Sequence, residues 1–456
     1  MNQLSKVKGY LGDREFYSNV VRIALPITAQ SLITVGVNMM DTIMLGTLGE
    51  TALSASSLAN QFINIYHICC MGIGMGANVL TARFWGMKDI GSLRKAMTIM
   101  YRICISLGLI FTLLTLIMPG GLMRIYTNEV PVIDAGIIYF NWSIPTYLLL
   151  GLSLTSTIVL RSVGLVKIPL YCSIGAFFVN IFFNWVFIFG KLGAPRMEIA
   201  GAALGTIIAR TFEFSVICGY VFLKDQRIGY RFKHLFMKCK DLVNDYLRIS
   251  IPVLISDSLL AFGNSAVAMV MGRIGATFVA ANAITTVTQQ LTSVFTQGIS
   301  NASSIITGQT LGEGRVEKAR KNGYAFLFLA GAVGTLAACL LMLISDPMIR
   351  YYQVTEETQL IARELMASIS LIVIFQSMSS ILTKGVLRGG GDTKFLMLAD
   401  ILFLWVASIP LGAIAGLVLH LPAFWIYFFL KIDQIIKCIW CVFRLKSGKW
   451  IKKISI

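Results

Sequence analysis

Residues 22–46 read RIALPITAQSLITVGVNMMDTIMLG, and after Arg22 the stretch carries a single charge, Asp41. About 20 apolar residues at a 1.5 Å helical rise cross the hydrocarbon of a bilayer, so the stretch is long enough to span a membrane. Nothing positive stands beside Asp41 in sequence to offset its charge. The surrounding solvent therefore decides what the carboxylate is for.

The whole chain answers that question. Of 456 residues, 56% are hydrophobic and only 13% charged, whereas a soluble domain carries about 25% charge. Apolar segments of spanning length recur at 20–44, 54–81, 97–118, 133–156, 168–190, 199–223, 249–271, 279–307, 324–345, 360–383, 395–418 and 422–443. These segments predict an all-α integral membrane protein with twelve transmembrane helices, because a helix satisfies its own backbone polar groups in lipid. The start, MNQLSKVKGYLGDREFYSN, is polar and mixed in charge, unlike a cleavable signal peptide.

Lys and Arg orient the segments. With a cytoplasmic N-terminus, RFWGMKDIGSLRK, RIGYRFKHLFMKCK, GRVEKARK and the tail RLKSGKWIKK all fall inside. Only Arg124, Lys191, Arg196, Arg273 and Arg350 fall outside, and Arg102, Arg210, Arg363, Lys431 and Lys437 lie within segments. The positive-inside bias thus places both termini in the cytoplasm of a cell (plasma or inner) membrane. It also explains the net charge of +17 through anionic lipid, with no need for nucleic-acid binding.

The opening stretch recurs. A shift of 226 positions lays RIALP (22–26) on RISIP (248–252), and the register then holds for more than seventy residues. Asn38 meets Asn264, Gly49 meets Gly275, Gly72 meets Gly298, Thr81 meets Thr307, and Arg94-Lys95 meets Arg320-Lys321. At a shift of 227, LRSVGLVK (160–167) falls on LRGGGDTK (387–394). Six segments per half make the halves parallel repeats. The expected division is an N-terminal six-helix lobe over 1–223, a cytoplasmic linker over 224–248 and a C-terminal six-helix lobe over 249–456. Transporters so built hold substrate near mid-membrane and alternate access between their halves.

Asp41 breaks that symmetry, since its mate is Val267. A carboxylate at mid-membrane costs about 2.5–3.5 kcal/mol and usually has a task, here exchange of a proton, Na⁺ or a cationic substrate. Asn180 and Asn184 stand one turn apart in FVNIFFNWVFIFG, and Thr206 follows in GAALGT; together with Asp41 they are the candidate cation-coupling residues. Glu213 and Asp257 lie deep in segments six and seven without an evident basic partner, and form a possible secondary coupling or substrate site. Asp433 reads as an intrahelical pair with Lys437, and Asp400 as lying near a helix end. Met39, Gln61, Asn64, Gln289 and Thr292 are candidate lining of a wet cavity between the halves.

Some chemistries find no support. No G-x-x-x-x-G-K-[ST] provides for ATP, and LRGGGDTK lacks the strand–loop–helix context of a phosphate loop; its glycines suit a tight turn, with Asp392 capping the next helix. No catalytic or metal motif suggests an enzyme or a bound cofactor. Cys438 and Cys441 read as apolar filling of the last helix.

VNMMDTIMLGTLG, ALSASSLAN, FNWVFIFG with IAGAALGT, and LRG…GDTK on a six-plus-six layout resemble the MATE (multidrug and toxic compound extrusion) transporters across essentially the whole chain. The resemblance implies an antiporter exporting amphipathic, mostly cationic organic compounds in exchange for H⁺ or Na⁺, working in lipid and able to act as a monomer. It matches Asp41 to the family's helix-1 cation-site aspartate, and Asn180 and Asn184 to an N-x-x-x-[D/N] site. The acidic residue some members carry on helix 10 is absent: IFQSMSSILTKG has Ser377 near its place, and Asp257 stands about three residues early on helix 7. Coupling is therefore expected in the N-terminal lobe. The alternatives are a flippase for lipid-linked precursors, which would favour a broad basic cavity, and a non-transporting receptor or scaffold, which would not require Asp41.

Overall fold

The structure is a computed structural model that describes residues 12–351 and 354–452, with the side chains of 291, 292 and 351 outside the description. Every regular element among the described residues is helical. The apolar segments become α1 (Arg14–Gly46), α2 (Glu50–Gly86), α3 (Ile90–Ile117), α4 (Val130–Ser143 and Thr146–Ser162), α5 (Lys167–Phe189) and α6 (Glu198–Lys224). The second set is α7 (Lys240–Ile274), α8 (Ala276–Gly312), α9 (Val316–Tyr351), α10 (Glu356–Leu387), α11 (Thr393–Val418) and α12 (Ala423–Leu430 and Asp433–Ser447). This is the all-helical, twelve-segment, six-plus-six layout that the hydropathy predicts.

Two departures have local causes. Segment four is not one straight rod: its two helices meet at 56° around Ile144-Pro145, because Pro145 has no N–H to continue the hydrogen-bond ladder. On length and apolarity, nine described helices suffice to cross a membrane, or ten with α4 taken as one span. α8 and α12 do not qualify, α8 because Thr, Gln and Ser crowd its sequence, and α12 because it breaks at Lys431-Ile432 into shorter pieces.

The repeat is visible in the backbone. Gly49, between α1 and α2, has φ +107°, and Gly275, its mate between α7 and α8, has φ +156°. Both turns use a conformation that side chains disfavour. At the end of LRGGGD, Gly391 likewise has φ +87°.

Two compact units result: Ala29–Ser250, and the described part of Met1–Thr28 together with Ile251–Ile456. α1 passes from one unit to the other just after Pro26, and α7 passes between Ser250 and Ile251, beside Pro252. The start of α1 packs Phe16, Val20 and Ala24 into a core with Ala302, Phe326, Ile381 and Trp450. The end of α1 packs Met44 and Leu45 with Ala55, Ala59, Phe140, Ile188 and Ala202 in the other unit.

The expected linker is held to α3 rather than hanging free. Arg94 Nε donates to the Ile228 carbonyl at 2.7 Å, and Thr98 Oγ1 lies 2.9 Å from Tyr230 Oη. Arg102 donates to the carbonyls of Leu235 and Met237 at 2.8 and 2.9 Å. Lys95 meets Asp241 at 2.5 Å. The basic residues of α3 thus bind backbone oxygens as well as facing the surface.

Candidate functional site

Close helix approach is the starting point for the site. In G201-A-A-L-G205 of α6, a Cβ at Gly201 would lie 2.6 Å from the Phe187 carbonyl group, and one at Gly205 only 2.1 Å from Asn184 Oδ1. Two glycines four residues apart therefore let α6 lie directly on α5, the small-residue packing that membrane helices use where apolar burial offers little drive. That approach seats Asn184, which is 1% exposed, against α1.

α1 and α5 are joined by two polar rungs. In the first, Gln30 Nε2 donates to Ser173 Oγ at 2.8 Å; in the second, Asn184 Nδ2 donates to Asp41 Oδ1 at 2.6 Å. Both pairs are 143 residues apart in sequence, so the second rung lies eleven residues beyond the first on both helices. Three helical turns, about 16 Å, separate them. Asn184 Nδ2 also lies 3.3 Å from Asn180 Oδ1, while Asn184 Oδ1 is buried with no hydrogen-bond partner.

These rungs form one wall of a cavity of about 910 Å³. Six of the sequence candidates line it: Asp41, Asn180 and Thr206, with Gln61 and Asn64 from α2 and Glu213 from α6. Asn184 stands behind Asp41 and is brought to the site by its hydrogen bond. Every lining residue belongs to Ala29–Ser250. The polar face of α2 is thus gathered within one lobe, where the sequence suggested a space between two.

Several expectations change. Glu213, read as lacking a basic partner, accepts from Arg210 Nη1 at 2.8 Å, one turn away on α6. Asp257 lies outside this cavity and pairs with Arg388 Nη2 at 3.1 Å. Met39 is 59% exposed and does not line the cavity. Gln289 donates to Gln376 Oε1 at 2.7 Å, bridging α8 and α10. The side chain of Thr292 lies outside the described residues. Ser377 lies 3.2 Å from Thr296 Oγ1, so two hydroxyls meet at this place on α8 and α10.

Asp392 occupies the N-cap position of α11 but makes no capping bond; it accepts from Arg444 Nε at 2.7 Å instead. Asp433 pairs with Lys437 at 3.0 Å as expected, and the same ammonium reaches Asp400 at 3.2 Å. Cys438 and Cys441 are buried free thiols.

Sequence reasoning missed Gln30, Arg161 and Arg210 on the cavity wall. Arg161 donates to Gln30 Oε1, which ties α4 to the first rung. Its signal was the 227-position match to Arg388 in LRGGG, obscured because Arg161 was assigned to a basic loop. Among the described residues no group of His, Cys, Asp and Glu is arranged to hold a metal ion. The cavity instead offers two carboxylates, Asp41 and Glu213, and two guanidiniums, Arg161 and Arg210, with the Asn180 and Asn184 amides beside Asp41.

The MatE family model matches the chain twice, over 26–186 and 252–414, so its two matches start at Pro26 and Pro252, 226 positions apart. The chain is 25% identical over 457 residues to the probable multidrug resistance protein NorM of Thermotoga maritima, covering 98% of this chain and 97% of that one. A MATE crystal structure in complex with MaD3S superposes with a TM-score of 0.85 at 18% identity, covering 97% of this chain and 98% of the other. A MOP superfamily transporter from Pyrococcus furiosus, described as having a binding pocket of reversed polarity that suggests a different function, superposes at 0.84 with 19% identity, covering 97% and 98%.

Proposed function

The chain belongs to the MatE family, and on that premise we propose that this multi-pass membrane protein exports amphipathic, mostly cationic organic compounds in exchange for H⁺ or Na⁺. The observation that carries the reading is the Asp41–Asn184 rung on the wall of a cavity of about 910 Å³. That volume suits a drug-sized molecule, for which sites of roughly 300–1,000 Å³ are usual. Two arginines balanced by Asp41 and Glu213 fit such compounds better than the broad basic cavity a lipid-linked precursor would need.

Ionised Asp41 is an acceptor only, and the Asn184 amide donates to it. A proton on Asp41 turns one oxygen into a donor, which the amide N–H cannot accept. A Na⁺ ion instead recruits oxygens, for which Asn184 Oδ1, Asn180 Oδ1 and the Thr206 hydroxyl are available. Either ion rearranges the rung between α1 and α5. Pro26 loosens α1 by removing one backbone donor, so the rearrangement has a helix able to respond. A cationic substrate and the coupling ion compete for the same carboxylate, which makes exchange obligatory.

The test is efflux of a fluorescent cation from proteoliposomes under separate H⁺ and Na⁺ gradients. Efflux driven by one of them, and lost in Asp41→Asn, is the expected result. Efflux indifferent to both gradients ends the antiport reading.

A further inference from the structure

Arg94, Thr98 and Arg102 stand four residues apart on one face of α3, and all three reach the connection between α6 and α7. Arg94 takes the Ile228 carbonyl, Thr98 Oγ1 donates to the His234 carbonyl at 2.9 Å, and Arg102 takes the carbonyls of Leu235 and Met237. Eight helical residues separate the first contact from the last, so the connection runs about 12 Å along α3. The apolar stretch of α3 begins at Met97. The far end of the connection therefore lies beside membrane-spanning sequence rather than beyond it. That explains an arginine inside a span: Arg102 spends its donors on carbonyls at the rim.

The connection also holds its own shape. Asp225 is 1% exposed and accepts from the backbone N–H groups of Arg227 and Ile228 at 3.2 and 2.9 Å. Arg231 Nη1 donates to the carbonyls of Asp225 and Tyr230, and the His234 ring accepts from the Arg231 N–H at 2.9 Å, which starts the helical turn Phe232–Phe236. Phe232 stacks one face on Phe222, with ring centroids 4.4 Å apart, yet is 60% exposed; Phe236 is 86% exposed. The chain after α12 does the opposite with its ring, since Trp450 is fully buried against Gly390. Six Lys and Arg lie between 224 and 240, against the single inward-turned Asp225. Among the described residues none of the six forms an ion pair, and the nearby Asp241 is taken by Lys95.

Exposed rings beside unneutralised cations match the boundary of an anionic bilayer, where rings enter the acyl chains and Lys or Arg stay at the phosphates. We infer that this connection is an interfacial foot that binds anionic phospholipid. Phe232 and Phe236 insert at the acyl-chain boundary, and Arg227, Lys233 and Lys238 hold the headgroup phosphates. A zwitterionic phospholipid brings the same chains and phosphate but cancels the charge with its own ammonium, so the foot discriminates by net charge. The positive-inside bias makes the leaflet the cytoplasmic one. Nothing in this depends on which ion or compound the cavity carries.

The experiment takes the full-length protein in detergent with equal amounts of phosphatidylglycerol and phosphatidylcholine of the same chains, and counts retained lipids by mass spectrometry of the intact protein. The wild type should keep phosphatidylglycerol over phosphatidylcholine by about fivefold or more, the scale of one basic residue near a charged surface. Arg227→Gln, Lys233→Gln and Lys238→Gln combined should lower that ratio by about threefold or more, whereas Arg315→Gln, Lys318→Gln and Lys321→Gln combined, in the α8–α9 turn, should lower it far less. Inorganic phosphate should not displace the bound phosphatidylglycerol. A wild-type ratio of one, an equal fall in both triple variants, or displacement by inorganic phosphate overturns the inference. A second readout keeps every charge and so survives a triple variant that does not fold. In vesicles of the same two lipids, benzoylphenylalanine in place of Phe236 should photocrosslink to lipid, and in place of Gln226, exposed beside the Asp225 turn, should do so far less. Lipid adducts absent at 236, or as frequent at 226, overturn the insertion of the foot.

Discussion

The two lobes build the same rungs and fill them with different chemistry. In the first lobe Gln30 bonds Ser173; at the corresponding positions of the second, Ser256 bonds Asp400. Arg161 corresponds to Arg388. The Asp41–Asn184 rung, however, corresponds to Val267 and Leu411, an apolar pair. Every charge in the second lobe that lies on this framework has an internal partner: Arg388 with Asp257, and Lys437 shared between Asp400 and Asp433. In the first lobe Asp41 and Arg161 line a cavity and are hydrogen-bonded to amides, with the Arg210–Glu213 ion pair in the same wall. Duplication kept the hydrogen-bonded scaffold in both halves. On the proposed function, the half whose charges are closed is a structural body and the half whose charges line a cavity is the site.

The largest break in that comparison is Asp41→Asn. The protein should fold and insert, because asparagine keeps the size and a hydrogen-bonding oxygen, and its mate position already tolerates valine. Ion-driven efflux in reconstituted vesicles should vanish. Wild-type efflux from Asp41→Asn would remove the difference between the lobes as an account of function.

The sequence carried much of this, unevenly. Twelve apolar segments, the 226-position repeat and Asp41 with Asn180 and Asn184 were all legible, because spanning length, internal symmetry and one-turn spacing are properties of the chain itself. Arg161 was not. It ends the second helix of α4 next to a basic connection, so a rule that counts positive charge in loops absorbs it there. Whether it faces a loop or a cavity is decided by the contact with Gln30, 131 residues away. Arg210 and Glu213 were readable from their spacing of three and were overlooked as a pair. The bend in α4 follows from Pro145, but hydropathy averages over it.

The second prediction breaks the closed lobe. Lys437 is 5% exposed and lies 3.2 Å from Asp400 and 3.0 Å from Asp433. Lys437→Met removes the one ammonium between two carboxylates, and stripping one partner from a buried pair destabilises by about 3–5 kcal/mol. A fall in the melting temperature of the detergent-purified protein should follow, with the ion dependence of any surviving efflux unchanged. Altered ion dependence with an unaltered melting temperature would make the second lobe a coupling site as well, and the contrast between the lobes would fail.

Asn184→Leu sharpens the open site rather than breaking it. Under Na⁺ coupling it removes one ligand, and apparent Na⁺ affinity should weaken by about tenfold, equivalent to about 1.4 kcal/mol. Under H⁺ coupling it should chiefly move the pH midpoint of transport by changing the hydrogen bonding at Asp41. Neither change at normal protein levels would reduce the asparagine pair to interhelical glue.

The smallest effect is expected at Gly205, and it bears on why only one lobe has the rung. A Cβ there would fall 2.1 Å from Asn184 Oδ1 and 2.9 Å from the Asn184 backbone nitrogen. The side-chain oxygen could turn aside, but the backbone contact forces α5 and α6 apart. Gly205→Ala should therefore shift ion dependence in the same sense as Asn184→Leu, by about two- to fivefold, since the methyl displaces Asn184 and leaves it chemically intact. Gly219→Ala on the same helix is the control, because its Cβ would meet no atom within 4 Å. Equal behaviour of the two alanine variants would mean that close packing of α6 on α5 does not hold Asn184 at Asp41. The lobes would then differ only in the identity of two side chains.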